Sequence, residues 1–78
     1  MELEIISPDK KLFTGEVKSV KLPGADGSFG VLNRHAPIIS SLKKGVVKVI
    51  DNSNAVHNFE IKGGVVEVQN NKMIVLAE

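Results

Sequence analysis

The stretch "GVVKVIDNSNAVHNFEIKGGVVEVQNNKMIVLAE", Gly45 to Glu78, decides the fold. Its apolar residues alternate with polar ones at a period of two, the period of a half-buried strand. Val47 and Val49 share one face of "GVVKVID". His57, Phe59 and Ile61 share one face of "VHNFEIK". "DNSN" reads as a loop between them, and Gly63-Gly64 as a tight bend or bulge. "VVEVQ" and "KMIVLA" flank Asn70-Asn71, a pair that tolerates positive φ and suits a two-residue hairpin turn. Four strands are therefore expected in this half of the chain.

The same grammar extends toward the N-terminus. Glu2 to Ser7 places Leu3 and Ile5 on one face, and Pro8-Asp9-Lys10 ends the run as a turn. Leu12 to Leu22 follows, with Val20 and Leu22 on one face and Val17 on the other. That parity predicts either burial on both sides near Val17 or a bulge at Gly15-Glu16. Pro23-Gly24 and Asp26-Gly27 read as two turns in succession. Ser28 to Leu32 and Pro37 to Leu42 complete a count of eight strands. Valine and isoleucine number eighteen, against ten leucines and alanines. β-Branched side chains suit a pleated surface, and no window sustains a helical period. The expected fold is all-β: an antiparallel β-sandwich of two packed sheets with short strands, one domain spanning residues 1–78.

Bulk composition excludes several classes. Ten basic and nine acidic residues leave a net charge of +1, which gives no field to gather nucleic acid. With no cysteine, disulfides and thiolate metal sites are absent. No apolar run approaches the ~20 residues of a spanning helix, and "MELEIIS" lacks the form of a signal peptide. A reducing, cytoplasm-side compartment is expected, with membrane contact only through a partner.

Candidate chemistry is sparse. Gly24, Gly27 and Gly30 form G-x-x-G-x-x-G, which matches neither phosphate-binding fingerprint and has no helix behind it. His35 has no nucleophile or co-ligand near it in sequence and reads as a structural or interface histidine. His57 reads as a half-buried core histidine, and Lys10-Lys11 and Lys43-Lys44 as solvated strand ends. No catalytic, cofactor or metal set emerges. One feature stands out: "GSFGVLNRHAPIISSL", residues 27–42, carries a single charge, Arg34, in a chain that is 24% charged. Ile38 and Leu42 suit the core. The remainder reads either as a protein-binding surface, since charge depletion marks interface cores, or as an extended core contribution.

The runs "SPDKKLFTGEV", "LPGADGSFGVLNRHAPIISSLKKGVVKV" and "IKGGVVEVQNNKMIVLAE" together resemble the epsilon subunit family of the F-type ATP synthases, called delta in mitochondria. The resemblance runs from Leu3 to Ala77. It implies a non-catalytic sandwich of the central stalk that links the gamma subunit to the membrane c-ring and couples ion translocation to ATP synthesis, without a cofactor. It places Asp26, Gly27, Ser28 and Phe29 on the c-ring side and His35 and Ser40 on the gamma side. Ser28 stands where the family often has an acid, and Asn33-Arg34 where it usually has proline and a small residue. Nothing here corresponds to the two C-terminal helices of many bacterial members, so neither an inhibitory helical arm nor an ATP site is expected. The implied location is peripheral, on the cytoplasmic face of a bacterial inner membrane. The alternative is a small carrier domain of the lipoyl or biotinyl type, which needs a modifiable lysine at a hairpin tip; Asp9-Lys10-Lys11 matches that poorly.

Overall fold

A computed structural model describes residues 1–78 and contains eight strands: β1 (Glu2–Ile6), β2 (Lys11–Gly24), β3 (Gly27–Leu32), β4 (Ile38–Leu42), β5 (Gly45–Asp51), β6 (Val56–Ile61), β7 (Gly64–Gln69) and β8 (Lys72–Ala77). The ladder runs β1-β8-β7-β4-β2-β5-β6, with β3 on β2 and β1 also on β2. One layer is therefore β4-β7-β8-β1 with the first half of β2. The other is β3, the second half of β2, β5 and β6. The expected sandwich is present, and no helix occurs.

β2 belongs to both layers. Fourteen residues in a straight strand would run about 46 Å, yet the longest extent of the molecule is 27 Å. The strand must bend. It does so at Lys18, where the pairing Val17↔Asp51 is followed by Ser19↔Ile50. The bulge lies there and not at Gly15-Glu16. One extra residue reverses the side-chain parity, so Val17, Val20 and Leu22 all reach the core.

Three further details differ from the sequence reading. β2 is long where short strands were expected. Pro23-Gly24 lies inside β2, not in a turn; the turn is Ala25-Asp26 alone. Across a two-residue turn Gly24 and Gly27 form a hydrogen-bonded pair, so Pro23 opposite Ser28 is a non-hydrogen-bonded position. Its missing N–H is not needed by β3, and its carbonyl accepts from Lys43 N at 2.9 Å. Lastly, β1 and β8 pair in parallel within the otherwise antiparallel sandwich. No hairpin joins them, so their directions follow from β2 and β7, to which each is antiparallel.

The Asn70-Asn71 turn forms as expected: both residues have positive φ, 53° and 59°, the geometry of a type I′ turn. Between the layers lies one core of sixteen buried apolar residues, with no buried polar side chain in it. Leu3, Ile5, Val66, Val68, Met73 and Val75 fill one side; Val20, Leu22, Val31, Val47 and Val49 fill the other.

Candidate functional site

The uncharged segment 27–42 supplies β3 and β4, and these two strands form the open side of the sandwich. β3 pairs only with β2, while β4 pairs with β7 and touches β2 at one position, Gly24↔Leu42. Alternation splits the segment residue by residue. Val31 and Leu42 are buried, and Phe29 and Ile38 pack against the core. Leu32 and Ile39 face solvent, 65% and 75% exposed. The core contribution therefore holds for alternate residues, and the others leave Leu32 and Ile39 on the surface.

Ile39 belongs to a larger patch. Register places two rows across the outer face of the β4-β7-β8-β1 layer. The first is Ile39, Glu67, Ile74 and Glu4; the second is Ser41, Val65, Leu76 and Ile6. Ile39, Val65 and Leu76 are exposed, and Ile6 and Ile74 partly so. Five apolar side chains thus adjoin one another on an outer face. Glu4, paired with Lys11 at 2.9 Å, and Glu2, paired with Lys72 at 3.4 Å, border them. Contiguous exposed apolar surface rimmed by polar groups is the mark of a contact site.

The residues singled out on sequence grounds are not all brought together. Asp26, Gly27 and Ser28 are exposed around the β2–β3 hairpin. Phe29 packs on the core. His35 lies past the far end of β3, about 20 Å away by the rise of six residues. The hairpin residues 26–28 and His35 therefore stand at opposite ends of β3. The half-buried His35 ring donates from Nδ1 to the Ala36 carbonyl at 2.7 Å. Asn71 Oδ1 accepts from Arg34 N at 2.8 Å, which ties this end to the β7–β8 turn. Ser40 shares the inner side of β4 with Ile38 and Leu42 and is half-buried. Its outward neighbours are Ile39 and Ser41. The outer face was missed on sequence grounds because its five apolar members come from four strands.

A second histidine cluster lies away from this face. His57 Nε2 donates to Asp51 Oδ2 at 2.9 Å, and its ring packs on Phe13 at 5.4 Å, with Phe59 beyond. Asp51 Oδ1 also accepts from the backbone N–H of Ser53 and Ala55. These are structural duties: both carboxylate oxygens are occupied in holding the β5–β6 turn and the His57 ring. The bond from His57, then that from Ala55, holds the Asp51 carboxyl below the usual carboxylate range. A depressed folded-state value means that stability from this group is present above the unfolded value and is lost as pH falls. Acid should thus loosen the β5–β6 hairpin as pH falls below the unfolded carboxylate value of about 3.9. Asp51→Asn keeps an oxygen for the two backbone donors, and melting of this variant should fall less steeply below that value than melting of the parent.

No group of three or more His, Asp or Glu residues converges for metal binding. Neither histidine lines any of the surface depressions.

Over residues 1–78 the chain matches the family model of the ATP synthase delta/epsilon chain, beta-sandwich domain. It is 43% identical over 77 residues to the ATP synthase epsilon chain of Chlorobium limicola, covering 99% of this chain and 88% of that one. It is 40% identical over 78 residues to that of Hyphomonas neptunium, covering all of this chain and 58% of that one. Among solved structures, a chain of the Euglena gracilis mitochondrial ATP synthase (OSCP/F1/c-ring) superposes with TM-score 0.90 at 21% identity, over 96% of this chain and 48% of that chain. A chain of the Tetrahymena thermophila mitochondrial ATP synthase central stalk and c-ring gives 0.83 at 19%, over 99% and 62%. At that identity these two structures share the fold.

Proposed function

This chain belongs to the delta/epsilon-chain beta-sandwich family of the ATP synthases, and on that premise we propose that it is a non-catalytic part of the central stalk. It links the gamma subunit to the c-ring and so couples ion translocation to ATP synthesis. Residues 1–78 act as a single unit, held at the cytoplasmic face of a bacterial inner membrane through the complex alone. The carrier-domain alternative has no support in these matches.

The observation that carries the reading is the apolar outer face around Ile39 in a chain matched to the family from end to end. Gamma meets that face and reaches past the β4 edge to His35, just before β4, and to Ser40, on its inner side. The ring meets the hairpin tip Asp26-Gly27-Ser28 and its neighbour Phe29, at the other end of β3. Between the two contacts stands a close-packed interior, which transmits torque because it compresses little. Separation of the contacts by a whole strand supports a spacer role.

Ile39→Asp places a charge in the centre of the gamma contact. It should weaken binding to tagged gamma roughly thirtyfold, the effect of losing a hot spot of about 2 kcal/mol. Ile39 is 75% exposed, so the melting temperature should hardly move. His35→Glu should weaken binding to a smaller degree. Parent-like capture of gamma by Ile39→Asp would place the gamma surface elsewhere.

A further inference from the structure

β3 ends its layer with unused hydrogen-bonding groups. Because Gly24/Gly27 is a hydrogen-bonded pair, so are Leu22/Phe29 and Val20/Val31. The N–H and C=O of Ser28, Gly30 and Leu32 therefore point away from β2. No other strand pairs with β3, and no turn, loop or side-chain bond reaches these three residues. The strand has no charge, no proline and no bulge, the devices that blunt an edge. The opposite edge, β6, carries His57 and Glu60. The free edge of β4 is partly closed, since Ser41 O accepts from Ala25 N at 2.9 Å.

The outer face beside this edge has a second peculiarity. Gly30 has no side chain, and the row inward from it runs Lys21 and then Lys48, directly paired across β2 and β5. Like charges so placed repel, and neither lysine has an ion-pair or hydrogen-bond partner within the chain. Together with Ser19, Leu32 and Ile50 they line a depression of about 280 Å³ over Gly30. Two uncompensated ammonium groups thus flank an apolar groove that opens onto a strand edge.

We propose that the β3 edge accepts an extended segment of a partner chain as an added strand, with an acidic side chain of that segment lying over Gly30 against Lys21 and Lys48. Main-chain bonds to Ser28, Gly30 and Leu32 hold the guest, and the carboxylate sets its register. A guest residue opposite Gly30 projects to the same outer face, and the missing side chain leaves room for it to lie flat. Its apolar neighbours two positions away meet Leu32 on one side and Ser28 on the other. This inference rests on the edge and the lysine pair, not on the rotor reading; its test contains no gamma, so the two fail separately.

The probe is a labelled nonapeptide of alternating threonine and valine with one central glutamate. Its binding to the 78-residue chain is read by fluorescence anisotropy and by amide exchange. Slower exchange is expected at Ser28, Gly30 and Leu32, with no change along β6. Replacing the central glutamate by lysine should weaken binding at least tenfold, and the Lys21→Glu, Lys48→Glu double variant should reverse that preference. Both lysines are exposed, and a melting curve confirms that the variant folds. N-methylation of the glutamate amide, which removes a bond to β3, should abolish binding; N-methylation of the next residue, whose amide points outward, should not. Unchanged exchange at the three edge residues, equal binding of the glutamate and lysine peptides, or indifference to the first methyl group would each overturn the proposal.

Discussion

Gly64→Ala is expected to lower stability by at least ~3 kcal/mol, the scale of overpacking added to backbone strain. Gly64 has φ of +148°, outside the range that a side chain tolerates well. A Cβ there would sit 2.2 Å from the Leu76 carbonyl oxygen and 3.1 Å from the Ala77 Cα. Both obstacles are backbone, so no rotamer change relieves them. β7 cannot move away, because Gly64 is paired on both sides, with Ala77 in β8 and with Leu42 in β4. A chain of this size has about 4–12 kcal/mol in total, and each kcal/mol is worth about 4–8 °C in a small domain. Thermal melting should therefore shift by more than 10 °C. Gly27→Ala is the control: φ is +132° but nothing lies within 4 Å of the new Cβ, so only the smaller conformational cost applies. Equal melting of the two variants would show that crowding by β8 is not what keeps residue 64 a glycine.

Leu22→Ala is expected to cost about 3 kcal/mol, and Leu32→Ala less than 0.5. The two leucines are ten residues apart in adjacent strands, 1% and 65% exposed respectively. Leu22 packs in the core beside Val20 and Val31, in a layer with no buried water-seeking group to fill the void. Its loss removes apolar burial and leaves a cavity that close-packed neighbours cannot collapse. Leu32 loses almost nothing on truncation because solvent already surrounds it. Urea midpoints at constant slope would measure both. Similar midpoints would mean that β3 and the end of β2 do not face the core as described.

Much of the architecture was legible residue by residue. β5 and β8 begin and end where alternation and turn residues place them, and the other six strands fall within one or two residues of expectation. Asn70-Asn71 predicts its own turn because few residues accept positive φ, and His57 sits half-buried beside Phe59 as its period requires. The bulge was visible only as a conflict of parity at Val17. Either Gly15-Glu16 or Lys18 resolves that conflict, and the pairing with β5 chooses Lys18. Pro23-Gly24 looked like a turn because proline and glycine usually are one. A non-hydrogen-bonded register position admits the proline, and close packing against Gly27 and Phe29 requires the glycine.

The candidate surfaces divide in the same way. Charge depletion in residues 27–42 announced that this segment meets something other than water, but not what. Sequence alone determined the strand count and the inner and outer parity of every strand but β2, because both depend on neighbours one to four residues apart. Tertiary structure decided the rest. It brought Ile39, Val65, Leu76, Ile74 and Ile6 into one patch, set Asp26 and His35 at opposite ends of β3, and left Lys21 beside Lys48 next to an unpaired edge. Those relations depend on which strands pair and in what register, and such long-range pairings are settled by packing of the whole core rather than by any local run of residues.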